Sequence, residues 1–146
     1  MLILLLLAMQ DVVDARRVYL GTPGDPEWEE FAGHEPHGRR LDVRFRAEPG
    51  PEERTLYVRQ RDVKLRWVVE LNGRALGELE LMEHPLVRSL PVPPGALRVG
   101  ENVLSFLPPD GRDDIVVGEI RLGRPPDADL DVEVLVDGAP GPCRIT

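Results

Sequence analysis

Val63-Lys64-Leu65-Arg66-Trp67-Val68-Val69-Glu70-Leu71-Asn72-Gly73-Arg74-Ala75-Leu76-Gly77 is the stretch that decides the fold class. Val63, Leu65, Trp67, Val69 and Leu71 recur at every second position. Lys64, Arg66, Glu70 and Asn72 fall between them, with Val68 the one apolar residue on that side. A period of two places these sets on opposite faces of a β-strand, one buried and one wet. Asn72-Gly73 then demands a hairpin, because both central residues of a type I′ turn need positive φ and Asn-Gly adopts it most cheaply. The return strand carries Leu79 and Leu81 against Glu78 and Glu80.

The same alternation continues outward. Upstream, Leu41, Val43 and Phe45 alternate with Asp42, Arg44 and Arg46. Leu56, Val58 and Gln60 alternate with Tyr57, Arg59 and Arg61. A first strand is predicted over Arg16 to Leu20. The segment from Asp25 to Gly38 is irregular, with Trp28 and Phe31 inside it and at most one helical turn at Glu27 to Phe31. Downstream, a strand spans Val87 to Val92 and Pro93-Pro94-Gly95 forms a rim. Gly100-Glu101-Asn102 reads as a turn into Asn102, Leu104 and Phe106. Val116, Gly118, Ile120 and Leu122 are assigned to the inner face of a last strand. Seven or eight short strands punctuated by turns predict an all-β antiparallel β-sandwich or jelly roll.

Composition agrees. The chain has 146 residues, 42% of them hydrophobic, which supports one domain and its core. Its 15 prolines are about twice the usual density of roughly 5%. They fit short strands with many rims rather than long helices. A net charge of −8 argues against nucleic acid as a partner. Cys143 is the only cysteine in the sequence, so no intrachain disulfide is available.

The two ends carry separate signals. Leu2 to Met9 is an apolar run of signal-peptide length, far short of a membrane span, and Val13-Asp14-Ala15 offers small residues for cleavage. Residues 1–15 are therefore read as a signal peptide of a secreted or periplasmic protein, and 16–123 as the sandwich. Arg124 to Asp129 has the composition of a linker. From 130 to 146, Leu130, Val132, Val134 and Val136 begin a new alternating strand and Asp137-Gly138 turns it. So short a segment cannot bury a core alone; it is read as the truncated start of a second β domain.

Three segments carry a resemblance to a known family. Trp67-Val68-Val69-Glu70-Leu71-Asn72-Gly73 with Leu76-Gly77 resembles the strand–turn–strand of galactose-binding-like β-sandwich domains. Pro93-Pro94-Gly95-Ala96-Leu97 followed by Gly100-Glu101-Asn102-Val103-Leu104 resembles their Gly-x-Asn segment. Asp114 to Leu122 resembles their closing strand. The resemblance implies a carbohydrate-binding-module-like jelly roll, an accessory domain of secreted multidomain hydrolases. It also implies a structural calcium, for which Asp113, Asp114 and Glu119 supply oxygens of the kind a hard cation takes. No other cofactor is expected.

Catalytic constellations are weakly supported. Ser89 and Ser105 fall on strands without a Gly-x-Ser-x-Gly elbow. His34-Glu35-Pro36-His37 has the wrong spacing for a helical zinc motif, and Pro36 opposes a helix. Sugar recognition needs exposed aromatics beside polar groups. Trp67 shares its face with four aliphatic residues and is assigned to the core. Trp28, Tyr57 and Arg59 are the ligand-binding candidates. The expected function is noncatalytic: a carbohydrate-binding accessory module of an exported hydrolase. The alternative is a spacer or docking domain packed against a downstream catalytic domain of the same polypeptide.

Overall fold

The computed structural model describes residues 11–123, together with 135–136 and 139–140. Ten strands run in chain order: β1 (Asp11–Leu20), β2 (Leu41–Ala47), β3 (Arg54–Arg61), β4 (Val68–Leu71), β5 (Arg74–Glu78), β6 (Leu86–Val92), β7 (Gly100–Leu107), β8 (Ile115–Gly123), β9 (Leu135–Val136) and β10 (Ala139–Pro140). Among the described residues one 3-10 turn is found, at Glu29–Phe31. Among the described residues no helix is long and apolar enough to cross a membrane.

The first eight strands make two four-stranded antiparallel sheets, in the orders β1-β8-β3-β6 and β2-β7-β4-β5. Apolar residues of both sheets share one core. Leu56, Val58, Leu90, Val117 and Ile120 come from the first sheet, and Leu41, Val69, Leu104 and Phe106 from the second. The all-β reading and the two-layer sandwich layout therefore hold. β9 and β10 form a separate two-residue ladder, Val136 opposite Ala139. The rest of the proposed second domain, the linker at 124–129 and the signal-peptide core at 1–10 lie outside the described residues.

The Asn72-Gly73 hairpin forms with φ of 53° and 81°, the two positive values its sequence requires. Asn72 does more than turn the chain. Its Nδ2 donates to Ala96 O and Asn102 Oδ1, and its Oδ1 accepts the Val103 N–H. Fully buried Asn102 continues the network. Its Nδ2 donates to Arg98 O and Gly100 O, while its Oδ1 also accepts the Arg98 N–H. The Gly-x-Asn segment is thus a polar clasp that fixes the Pro93–Gly100 rim to the β4–β5 hairpin. Asn102→Ala would strand one N–H of the Asn72 amide, which keeps its bond to Ala96 O, and the Arg98 N–H. The expected loss is about 3 kcal/mol, read as a lowered urea midpoint at unchanged m-value.

Four readings need correction. Strand β1 begins at Asp11, not Arg16, and Asp11, Val12 and Asp14 pair with Leu122, Arg121 and Ile120, while Val13 packs on the core. The long strand Val63–Leu71 shrinks to Val68–Leu71. Its first half leaves the sheet after Asp62, whose φ is 64°, because the Lys64 and Leu65 amides bond to Asp113 instead of a neighbouring strand. Gly100 to Asn102, read as a turn, already belongs to β7. Leu81, assigned inward with Leu79, is 55% exposed, while Leu79 is buried; the chain has left β5 after Glu78.

The fifth departure is a change of phase in β8. Val116 is half-exposed, and Ile115 and Val117 are the buried pair, whereas Ile120 and Leu122 do face inward as read. An extra residue accounts for it. Tyr57 pairs with Arg121 and Arg59 with Gly118, so two steps on β3 oppose three on β8. This is a β-bulge, and Glu119 within it has a φ of 45°.

Candidate functional site

The outer face of the β1-β8-β3-β6 sheet carries two hollows that share Arg59. The alternation of β3 puts Leu56, Val58 and Gln60 into the core and turns Tyr57, Arg59 and Arg61 outward. Gln60 is held inward because its side-chain amide bonds both ways to the Glu80 backbone, at 2.6 and 2.9 Å.

The first hollow, about 270 Å³, is lined by Tyr57, Arg59, Val87, Glu119 and Arg121. Register explains its members. Arg121 on β8 lies opposite Tyr57, and Val87 on β6 lies opposite Arg59. The bulge supplies Glu119. The second hollow, about 170 Å³, adds Arg17, Arg61 and Pro85 around Gly118. Gly118 pairs with Arg17 on one side and Arg59 on the other, so a residue without a side chain separates two guanidiniums.

Charge on this face is incompletely neutralised. Glu119 Oε1 accepts from Arg17 Nε at 2.7 Å, and its Oε2 stands 3.7 Å from Arg59 Nε, beyond hydrogen-bond reach. Arg61 pairs with Glu30 at 3.1 Å and with Asp62 at 2.9 Å, and its guanidinium lies 5.8 Å from the Phe31 ring centroid. Burial pushes the Asp62 carboxyl above its ordinary range, against the opposing pull of Arg61. Among the described residues Arg121 makes no ion pair or side-chain hydrogen bond.

Trp28 is placed elsewhere. It is half-buried, the Lys64 ammonium sits 4.6 Å from its ring centroid, and its indole N–H is buried without a partner. The ammonium covers one face of the ring. Trp28 belongs to a second cluster that ties the Gly21–Phe31 loop to the sheet. Tyr19 stacks on Phe31 at 4.2 Å and donates its hydroxyl to Asp114 Oδ2 at 2.9 Å. Burial, then that hydrogen bond, pushes the phenol up to about 12. Asp114 Oδ2 also accepts the Glu27 N–H, and Glu27 in turn accepts the Asp114 N–H and pairs with Lys64. Burial alone would raise the Glu27 carboxyl; the Lys64 ammonium and the Asp114 N–H hold it below its ordinary value.

The three acidic residues that the resemblance pointed to for calcium are not brought together. The Asp113 carboxylate accepts from Lys64 N, Leu65 N and Trp67 Nε1. Asp114 faces Tyr19 and Glu27, and Glu119 faces Arg17 and Arg59 on the sheet surface. Among the described residues no group of three His, Cys, Asp or Glu side chains is placed to hold a metal ion. As placed, these three do not fit a common calcium site.

Tyr57 and Arg59 therefore share one hollow, joined by Glu119 from the acidic set. Arg121, Val87 and Arg17 were missed from sequence. The alternation around Ile120 and Leu122 marks Arg121 as outward-facing, but only the β3–β8 register places it beside Tyr57. Neither a scan of known family models nor a search of curated proteins finds a match to this chain.

Proposed function

We propose that the chain is a noncatalytic accessory module of an exported hydrolase, of galactose-binding-like jelly-roll type, which binds a saccharide on the outer face of the β1-β8-β3-β6 sheet. The jelly-roll assignment is supported by the strand pairing. β1 pairs with β8, β2 with β7, β3 with β6 and β4 with β5. That is the order left when a ribbon of four strand pairs is wrapped around a common core. Export rests on the apolar run Leu2–Met9.

The observation that carries the binding site is the Tyr57 ring in a hollow flanked by Arg59, Arg121 and Glu119. An aromatic surface with polar groups at its rim suits a pyranose, which offers an apolar C–H face and hydroxyls around its edge. Affinity electrophoresis against a panel of soluble polysaccharides is expected to show retention. Tyr57→Ala should weaken it about tenfold, equivalent to about 1.4 kcal/mol of lost stacking. Retention of no polysaccharide would remove the saccharide reading.

Exposed Leu81 and Met82 favour the second reading, a docking domain for a catalytic domain of the same polypeptide. They lie on the segment between β5 and β6 and leave the Tyr57 hollow free, so the two readings are compatible.

A further inference from the structure

We infer that the saccharide taken by this face is acidic, and that its carboxylate is held between Arg59 and Arg121; this rests on the saccharide-binding reading above. The chain carries a net charge of −8, yet the residues lining the two hollows include Arg17, Arg59, Arg61 and Arg121 against Glu119 as the one acid. Positive charge gathered on one face of an acidic protein forms a local field that draws an anion to that face.

The guanidiniums differ in what already occupies them. Arg17 and Arg61 are engaged with Glu119 and Glu30 at hydrogen-bond distance. Arg59 has only the 3.7 Å approach of Glu119, and Arg121 has no charged partner among the described residues. These two flank Tyr57: Arg121 is its cross-strand partner, and Arg59 is two residues along the same face of β3. Substituents on an outward face are about 7 Å apart along a strand and about 5 Å apart across it. A pyranose stacked on Tyr57 thus directs its equatorial groups toward both guanidiniums. A neutral hydroxyl uses little of what they offer. A planar carboxylate matches the guanidinium fork and makes two parallel charge-assisted bonds.

Glu119 shows which group this lining accepts. Its own carboxylate already sits between Arg17 and Arg59, on a backbone held at positive φ by the bulge. It also repels a second carboxylate entering beside it, so it limits affinity and tunes it.

The test is calorimetric titration of the full chain at one low ionic strength. The probes are oligogalacturonate, the same oligosaccharide fully methyl-esterified, and dextran sulfate. The acid form is expected to bind at least tenfold more tightly than its ester. Arg59→Gln and Arg121→Gln should each lose about tenfold on the acid form and clearly less on the ester, so that the acid-over-ester preference narrows in both. Glu119→Gln should tighten the acid form about threefold. Circular dichroism verifies that each variant is folded. Equal affinity for acid and ester overturns the carboxylate assignment while leaving the saccharide reading intact. Dextran sulfate binding as tightly as oligogalacturonate also overturns it, in favour of unspecific polyanion attraction. Absence of binding to these probes, together with no retention of any polysaccharide in the panel above, overturns both.

Discussion

Gly118→Ala is expected to destabilise the sandwich by at least about 3 kcal/mol, or to leave it unfolded at growth temperature. A Cβ built at Gly118 would stand 2.0 Å from the Arg16 carbonyl oxygen and 2.7 Å from the Arg17 Cα. Both are backbone atoms of β1, so no rotamer change relieves the contact. One strand must move away from the other. The close approach has a cause in the ladder. Asp14 pairs with Ile120 and Arg17 with Gly118, so β1 inserts an extra residue where β8 has none to match. That bulge brings the Arg16 carbonyl over the Gly118 Cα. Overpacking against mobile side chains costs about 1–3 kcal/mol; backbone against backbone lies at or above the top of that range. Gly50→Ala is the control, because nothing lies within 4 Å of its Cβ position. It should be neutral or stabilising by a few tenths of a kcal/mol. Thermal unfolding followed by far-UV circular dichroism compares the two. A Gly118→Ala protein within about 1 kcal/mol of wild type would mean that β1 is not seated on β8 as described.

The same bulges mark where the sequence stops being readable. Alternation in β2, β3 and β7 assigns their faces correctly, because each of those strands runs without an inserted residue on its own chain. Asn72-Gly73 is readable because two adjacent residues at positive φ leave few alternatives to Asn-Gly. In β8 the pattern Ile115-Val116-Val117-Gly118-Glu119-Ile120 fits two phases equally well. The choice is made by β1 and β3, whose pairings lie more than fifty residues away in sequence. The site shares this property. Tyr57 and Arg59 are visible as an outward pair on one strand. Arg121 and Val87 join them only through register, and Glu119 turns outward only through the bulge. Trp28 is hard to read for a different reason. An aromatic residue in a polar loop has the same local sequence whether its face is open or covered, and the Lys64 side chain that covers it comes from a segment that left the sheet.

Asp113→Ala is expected to cost about 3–5 kcal/mol and to shift the fluorescence of Trp67 toward that of a solvent-exposed indole. Asp113 is 5% exposed, and its carboxylate collects three donors: the Lys64 and Leu65 amides and the Trp67 indole N–H, the last two at 2.9 Å. Those donors come from the segment that left the sheet between β3 and β4, so no ladder partner replaces the lost acceptor. Each buried donor left without a partner costs about 1–3 kcal/mol, and water entering the vacated space recovers part of that. Trp67 itself is 1% exposed and anchors the centre of the core; freeing its N–H loosens the largest side chain in the sandwich. Asp113→Asn separates the contributions. It keeps one acceptor oxygen and replaces the other with an amide that faces donors, so its loss should fall between that of Asp113→Ala and wild type. Urea unfolding of the three proteins, read by tryptophan emission, measures the series. A loss below about 1 kcal/mol for Asp113→Ala would show that the 62–67 segment is held by its apolar side chains alone. The predicted order instead makes Asp113 a keystone of the fold, its carboxylate occupied by the chain's own donors, whereas the carboxylate of Glu119 faces Arg17 and Arg59 on the sheet surface.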